Sequence, residues 1–152
     1  MRLEQLTIKA QEAVLESQRV AESRGHQQVE PEHLLLTLLD QKEGLVRPLL
    51  QKLEVDGGLL KTRIETELGK TPTVTPLQGN VYVSFRLKQV FDQSRLEAEK
   101  LKDDFISTEH LLLALIEVRD CPSSQILREM GVSKEAVLKS LQQVRGSHRV
   151  TD

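Results

Sequence analysis

Two dipeptides invite a chemical reading first. Glu32-His33 and Glu109-His110 each set a carboxylate beside an imidazole, the pieces of general acid–base chemistry or of a metal site. A zinc-binding helix needs a second histidine one turn further on. Those positions hold Thr37 and Ala114. Nor does any serine or cysteine have a base nearby in the chain that would activate it as a nucleophile. Each histidine is therefore expected to pack or hydrogen-bond at the start of a buried helix. Gly69-Lys70-Thr71 matches the end of a phosphate loop, but the glycine that motif needs five residues before Gly69 is Ile64. Pro72 also blocks the helix on whose N-terminus the phosphates would rest. Gly69 reads instead as the stop of a helix. Cys121, the only cysteine, reads as an incidental thiol that cannot form an internal disulfide. Lys100, Lys102, Asp103 and Asp104 read as a solvated loop at a helix end. From these residues the chain is expected to be neither an enzyme nor a metal protein, and to carry no cofactor of its own.

The elements that carry these residues are organised as a repeat. Glu32-His33-Leu34-Leu35-Leu36 recurs as Glu109-His110-Leu111-Leu112-Leu113, 77 residues on. The offset holds without a gap on both sides, pairing Ala21 with Ala98, Val29 with Ile106, Leu50 with Leu127 and Ile64 with Leu141. Two copies of one unit follow, about residues 4–69 and 81–146, with a linker over 70–80 whose prolines keep it extended. Residues 1–146 are thus expected to make one domain, with 147–152 the start of a flexible tether. Thr7 and Ser84 are N-caps of the first helix of each unit. Pro31 and Thr108 open the second, and the runs Leu34–Leu39 and Leu111–Ile116 are apolar nearly all round, as a buried central helix requires. A third helix is expected over about 45–53 and 124–130. A fourth follows the caps Asp56 and Ser133 and runs to about Leu68 and Val144. The fold class is all-α: eight helices in two pseudo-symmetric four-helix repeats.

Composition narrows the function. The 152 residues include 21 Lys+Arg against 23 Asp+Glu, a net charge of −2, without the basic footprint of a nucleic-acid binder. The opening residues are amphipathic with no apolar signal core, and nowhere do about 18 apolar residues run together. The expectation is a soluble, cytoplasmic chain that contacts neither nucleic acid nor membrane. The most informative pattern is on the first helix of each unit. At about 100° per residue, Ala10, Ala13, Val14, Ser17 and Ala21 share one side, while Ile8 and Leu15 point nearly opposite. Phe85 and Leu96 take that opposite side in the second copy. Such a stripe either glues the two units together or lines a substrate groove between them. Both readings stay open at this level.

These residues also carry a likeness. Leu6-Thr7 with Ala10 and Ala13, then Val29 with Pro31-Glu32-His33-Leu34-Leu35, then Phe105-Ile106-Ser107-Thr108-Glu109-His110-Leu111, resemble the Clp N-terminal double repeat over essentially the whole chain. The Thr71-Pro72-Thr73-Val74 linker, Val81-Tyr82-Val83-Ser84 and Val144-Arg145-Gly146 are similar to its ClpB-type branch. The resemblance implies a mobile recognition domain on a ring-shaped, ATP-driven disaggregase of the stress response. Such a domain engages unfolded or aggregated polypeptide and passes it to the motor. The parent would be a hexamer with a coiled-coil middle domain, would use ATP and magnesium, and would cooperate with the DnaK system. The isolated domain would be a monomer. The alternative within the family is a domain that docks an adaptor or degron for a protease-coupled Clp ATPase. Thr7, Asp103 and Glu109 match positions tied to substrate handling, which with Leu15 and Leu96 makes five candidate substrate-binding residues. Glu32 and Glu109 match the acidic pair that binds phosphorylated arginine in the ClpC branch.

Overall fold

A computed structural model of the chain describes residues 2–74 and 80–145. After a short 3-10 turn at Leu3–Gln5, the first repeat contains α1 (Ile8–Ser23), α2 (Pro31–Asp40), α3 (Val46–Lys52) and α4 (Gly57–Gly69). The second contains α5 (Phe85–Lys100), α6 (Thr108–Glu117), α7 (Pro122–Glu129) and α8 (Lys134–Arg145). The starts of α1 and α5, of α2 and α6, and of α4 and α8 are each 77 residues apart. Local chemistry explains those starts. The hydroxyls of Thr7 and Ser84 accept the backbone N–H groups of Ala10 and Leu87 at 3.3 and 3.1 Å, and the Asp56 carboxylate accepts that of Leu59 at 3.0 Å. The helix α7 begins at Pro122, earlier than its sequence pattern suggests. Proline there has no N–H to leave unpaired and its φ is already helical.

The two central helices are buried along almost their whole length, Pro31 to Leu39 and Thr108 to Ile116. The small faces of the first helices let them pack closely: Ala10, Ala13 and Ala21 of α1 are 0 to 1% exposed. The repeats embrace reciprocally. α1 lies on α2 and reaches α6, while α5 lies on α6 and reaches α2. Likewise α3 meets α8 and α4 meets α7. A single hydrophobic core therefore runs through both repeats.

One feature is absent from the sequence expectation. β1 (Gln28–Val29) and β2 (Tyr82–Val83) form a short parallel pair, with Val29 opposite Val83. The same contact recurs with the repeats exchanged, as Leu6 bridges Ile106. Both linker ends rest on the corner between α1 and α2. The Val74 N–H donates to the Gly25 carbonyl at 2.8 Å, the Tyr82 N–H to Gln27 and the Ser84 N–H to Val29. Gly25 has φ +73, a left-handed turn that favours glycine. The middle of the expected linker and the expected tether lie outside the described residues. Among the described residues, no helix is long and apolar enough to cross a membrane.

Candidate functional site

The histidines are structural, as their place in the sequence suggests. His33 and His110 are 0% exposed. The His33 Nδ1 accepts the Glu30 backbone N–H at 2.9 Å, and the His110 Nδ1 accepts that of Ser107 at 2.8 Å. Each imidazole thus closes the N-terminus of a central helix from its third position, the role a glutamate or glutamine has in a capping box. With Nδ1 accepting, the proton of a neutral ring sits on Nε2. In the first repeat it points at the His26 Nδ1, 2.8 Å away. In the second it donates to an Asp103 carboxylate oxygen at 2.7 Å. His26 and Asp103 are themselves 77 residues apart. Burial, with His26 and Arg24 adding to it, lowers the His33 pKa to about 4. Burial also lowers that of His110, against the pull of Glu109 and Asp103. Both nitrogens of each ring are engaged, which leaves no free base.

Asp103 anchors a buried cluster. Its second carboxylate oxygen accepts from the Arg145 guanidinium of α8, which also lies 3.9 Å from Glu109. Glu109 in turn accepts from the Ser107 hydroxyl. Thr7 joins the same place through its backbone, its N–H donating to the Ile106 carbonyl at 2.9 Å. Three of the five sequence candidates, Thr7, Asp103 and Glu109, are thereby brought together. The solvated-loop reading of Asp103 is corrected: its side chain is fully enclosed, because it neutralises Arg145 and accepts the hydrogen bond of the His110 Nε2–H. Glu109 is only 4% exposed. Glu32, its equivalent in the first repeat, is also buried and accepts the Ser123 backbone N–H at 3.1 Å across the repeats. Burial raises its carboxyl pKa, with the Ser123 bond opposing.

Leu15 and Leu96 lie elsewhere. Each is 43% exposed, and Ile8 and Phe85 are 74% exposed. They do not glue the repeats together, because α1 and α5 turn their alanine and leucine faces, not these residues, toward the core. Leu15 borders an open depression of about 430 Å³ between α1 and α2, floored by Ala13, Val20 and Thr37 and edged by Glu12, Glu16 and Asp40. This hollow is built from the first repeat alone and not from the seam between the units. The residue equivalent to Leu15 is Asp92, and that equivalent to Leu96 is Arg19. At Leu15 and Leu96 the exposed apolar surface breaks the pseudo-symmetry that the core obeys, whereas Ile8 and Phe85, 77 residues apart and equally exposed, keep it. Its signal in the sequence was the stripe opposite the small-residue face. Among the described residues, no group of three His, Cys, Asp or Glu is placed to hold a metal ion. Cys121 is buried and its thiol is pushed up to about 11, chiefly by that burial.

Comparison with known proteins agrees with this architecture. The family described as the Clp repeat N-terminal domain matches residues 5–130. The chain belongs to that family. It is 42% identical over 154 positions to the chaperone protein ClpB of Bacillus anthracis, covering 99% of this chain and 18% of that protein. The ClpB of Rhodopirellula baltica is 39% identical over 151 positions, covering 99% of this chain and 17% of its own length. This Clp N-terminal domain thus spans under a fifth of the length of those curated relatives. Its fold matches the Hsp104 N-terminal domain of Candida albicans with TM-score 0.84 at 22% identity, over 97% of this chain and 95% of that one. It also matches the N-domain of ClpV, in a complex with a VipB peptide, with TM-score 0.74 at 16% identity over 98% and 92% of the two chains. At those identities the structural likeness speaks for the fold alone. The ClpB-type resemblance and the all-α double-repeat fold are both borne out.

Proposed function

We propose that this domain binds unfolded or aggregated polypeptide segments and presents them to a ClpB-type, ATP-driven disaggregase. The carrying observation is the apolar surface that α1 and α5 leave in water: Ile8, Leu15, Phe85 and Leu96. Apolar burial is non-directional, so such a surface accepts many sequences. Covering about 300 Å² of it yields about 7 kcal/mol gross, most of it offset by the entropy of association and of ordering a flexible client. The result is weak binding, which suits a client that must be released to a motor. The rim of the Leu15 hollow carries both signs, Glu12, Glu16 and Asp40 beside Arg19, and each acid is paired, with Lys9, Arg19 and Lys61, so apolar contact and not net charge selects the client here. Thr7, Asp103 and Glu109 serve this surface indirectly, by holding the 103–110 segment against α1. The parent protein would be a cytoplasmic hexamer that uses ATP and magnesium and works with the DnaK system, while this domain alone would be a monomer without cofactor.

An NMR titration with a permanently unfolded protein, reduced and carboxymethylated α-lactalbumin, tests the reading. Shifts should concentrate at amides around Ile8, Leu15, Phe85 and Leu96, with no saturation below about ten micromolar. Unperturbed spectra at millimolar client, or shifts confined to other faces, would refute it. The family's other mode, docking of one folded adaptor, predicts tight one-to-one binding and indifference to the unfolded protein.

A further inference from the structure

The corner between α1 and α2 combines two features; in the second repeat the same helix ending, Lys102 N–H to Glu99 and Asp103 N–H to Ala98, aims a carboxylate and not an imidazole at the central-helix histidine. First, α1 closes with the Gly25 N–H bonded to the Glu22 carbonyl and the His26 N–H to that of Ala21, a Schellman ending. That ending aims the His26 ring at His33 in the first turn of α2. The rings are 5.0 Å apart between centroids, and His26 is 2% and His33 0% exposed. Second, the residues flanking His26 carry both described ends of the linker. Gly25 accepts from Val74, Gln27 from Tyr82 and Val29 from Ser84, and the Gln27 side chain donates to the Asn80 carbonyl.

The hydrogen bonds assign the protons. His33 accepts from Glu30 at Nδ1, so it donates from Nε2, and His26 must accept at Nδ1. Each ring then has its accepting Nδ1 facing a donor. Protonating His33 sets its new N–H against the Glu30 N–H across 2.9 Å. Protonating His26 sets a new N–H against that of His33 across 2.8 Å. A proton on His26 opposes two donors between the rings, and its relief is to part them; a proton on His33 opposes the Glu30 N–H, and its relief is to swing the His33 ring off the α2 cap, carrying away the surface His26 rests on.

We propose that the His26–His33 contact is an acid-released clasp that fastens the α1–α2 corner of the first repeat to the start of the second. The surrounding charges favour release. From α1 and its end, Arg24 faces both rings and repels an imidazolium, and Glu65 of α4 answers Arg24 only at 3.6 Å. From the α2 N-cap, Glu30 attracts a charge on His26, yet its carboxylate is shared with Arg86 of α5 at 3.5 Å. Thr73 and Val74 of the linker contribute no charge. The second repeat differs at this point. There an imidazolium at His110 would face Asp103 and Glu109, so the equivalent corner resists acid better. The clasp acts on the joint between repeats and does not depend on client binding.

The sign follows from linkage. Burial lowers the pKa of both rings below the ordinary 6.5, that of His33 to about 4. The closed clasp is therefore fully favoured above 6.5 and weakens as pH falls from there toward about 4. For His33 alone, opening at pH 5.0 should exceed that at pH 7.5 by about thirtyfold.

Amide hydrogen exchange on the whole chain, normalised to intrinsic rates, tests this. Protection at Val74, Tyr82 and Ser84 should fall at least about tenfold between pH 7.5 and 5.0, with amides inside α6 unchanged. The double variant His26→Asn/His33→Gln keeps the donor–acceptor chain without titrating, and should show flat protection over the same range. Protection of the three amides within about twofold at the two pH values overturns the clasp, as does a folded double variant that loosens as the wild type does. Should the double variant fail to fold, ring titrations of the wild type decide. A midpoint of amide loosening shared with His26 and His33 supports the clasp, and a midpoint shared with His110 or with no histidine overturns it.

Discussion

Replacing Asp103 by alanine isolates the buried cluster that joins α6, α8 and the turn before α6. The carboxylate accepts from the His110 Nε2 at 2.7 Å and from the Arg145 guanidinium, with its own side chain fully enclosed and that of Arg145 11% exposed. Removing it leaves an imidazole N–H without its acceptor and a nearly buried cation facing Glu109 at 3.9 Å. Breaking such a pair from one side costs about 3–5 kcal/mol in a fully dry site. Arg145 ends α8, where water can reach it, so the lower value, about 3 kcal/mol, is expected. With a urea dependence of about 2 kcal/mol per molar, the midpoint should fall by about 1.5 M. Far-ultraviolet circular dichroism follows the loss of helix. A shift below about 0.3 M would refute the cluster as a structural anchor. A double-mutant cycle with Arg145→Met should give a coupling of about 1 kcal/mol or more, and additive losses would show that the two groups act separately.

Three other outcomes are expected. Leu96→Ser should cost about 1 kcal/mol, since a side chain 43% exposed gives up about half the value of full burial, and it should weaken client binding several-fold. A loss beyond about 2 kcal/mol with unchanged client affinity would contradict its placement on an open face. Lys102→Gly should raise stability by up to about 1 kcal/mol in the same urea experiment, because Lys102 adopts φ 59 where the first repeat has Gly25 at φ 73. A lower midpoint would contradict the strain argument. Cys121 should resist a thiol reagent in native protein at neutral pH and react fully in urea, being buried with its thiol pushed up to about 11. Rapid native labelling would show that the α6–α7 turn opens.

The repeat, the helix starts and the buried central helices are legible in the chain itself because their causes are local. A capping hydroxyl at Thr7 or Ser84 acts three residues away, and an apolar run such as Leu111–Ile116 marks its own burial whatever covers it. The double Glu-His-Leu-Leu-Leu box carried the family, and the stripe opposite Ala10, Ala13 and Ala21 marked Ile8, Leu15, Phe85 and Leu96 as surplus to the core. What those residues face was not legible. Glue and groove have the same helical spacing, and only the way α1 crosses α6 while α5 crosses α2 leaves the stripe in water. The acids show the same limit from the other side. Asp103 has the composition of a solvated turn, yet it is enclosed by Arg145, 42 residues later, while Glu32 finds its partner at Ser123, 91 residues on. Even the equivalent histidines diverge, His33 meeting an imidazole and His110 a carboxylate. Periodicity and capping are set within a turn or two of chain. The protonation state and exposure of a side chain are set by whatever distant helix closes over it, because desolvation and charge pairing act through space.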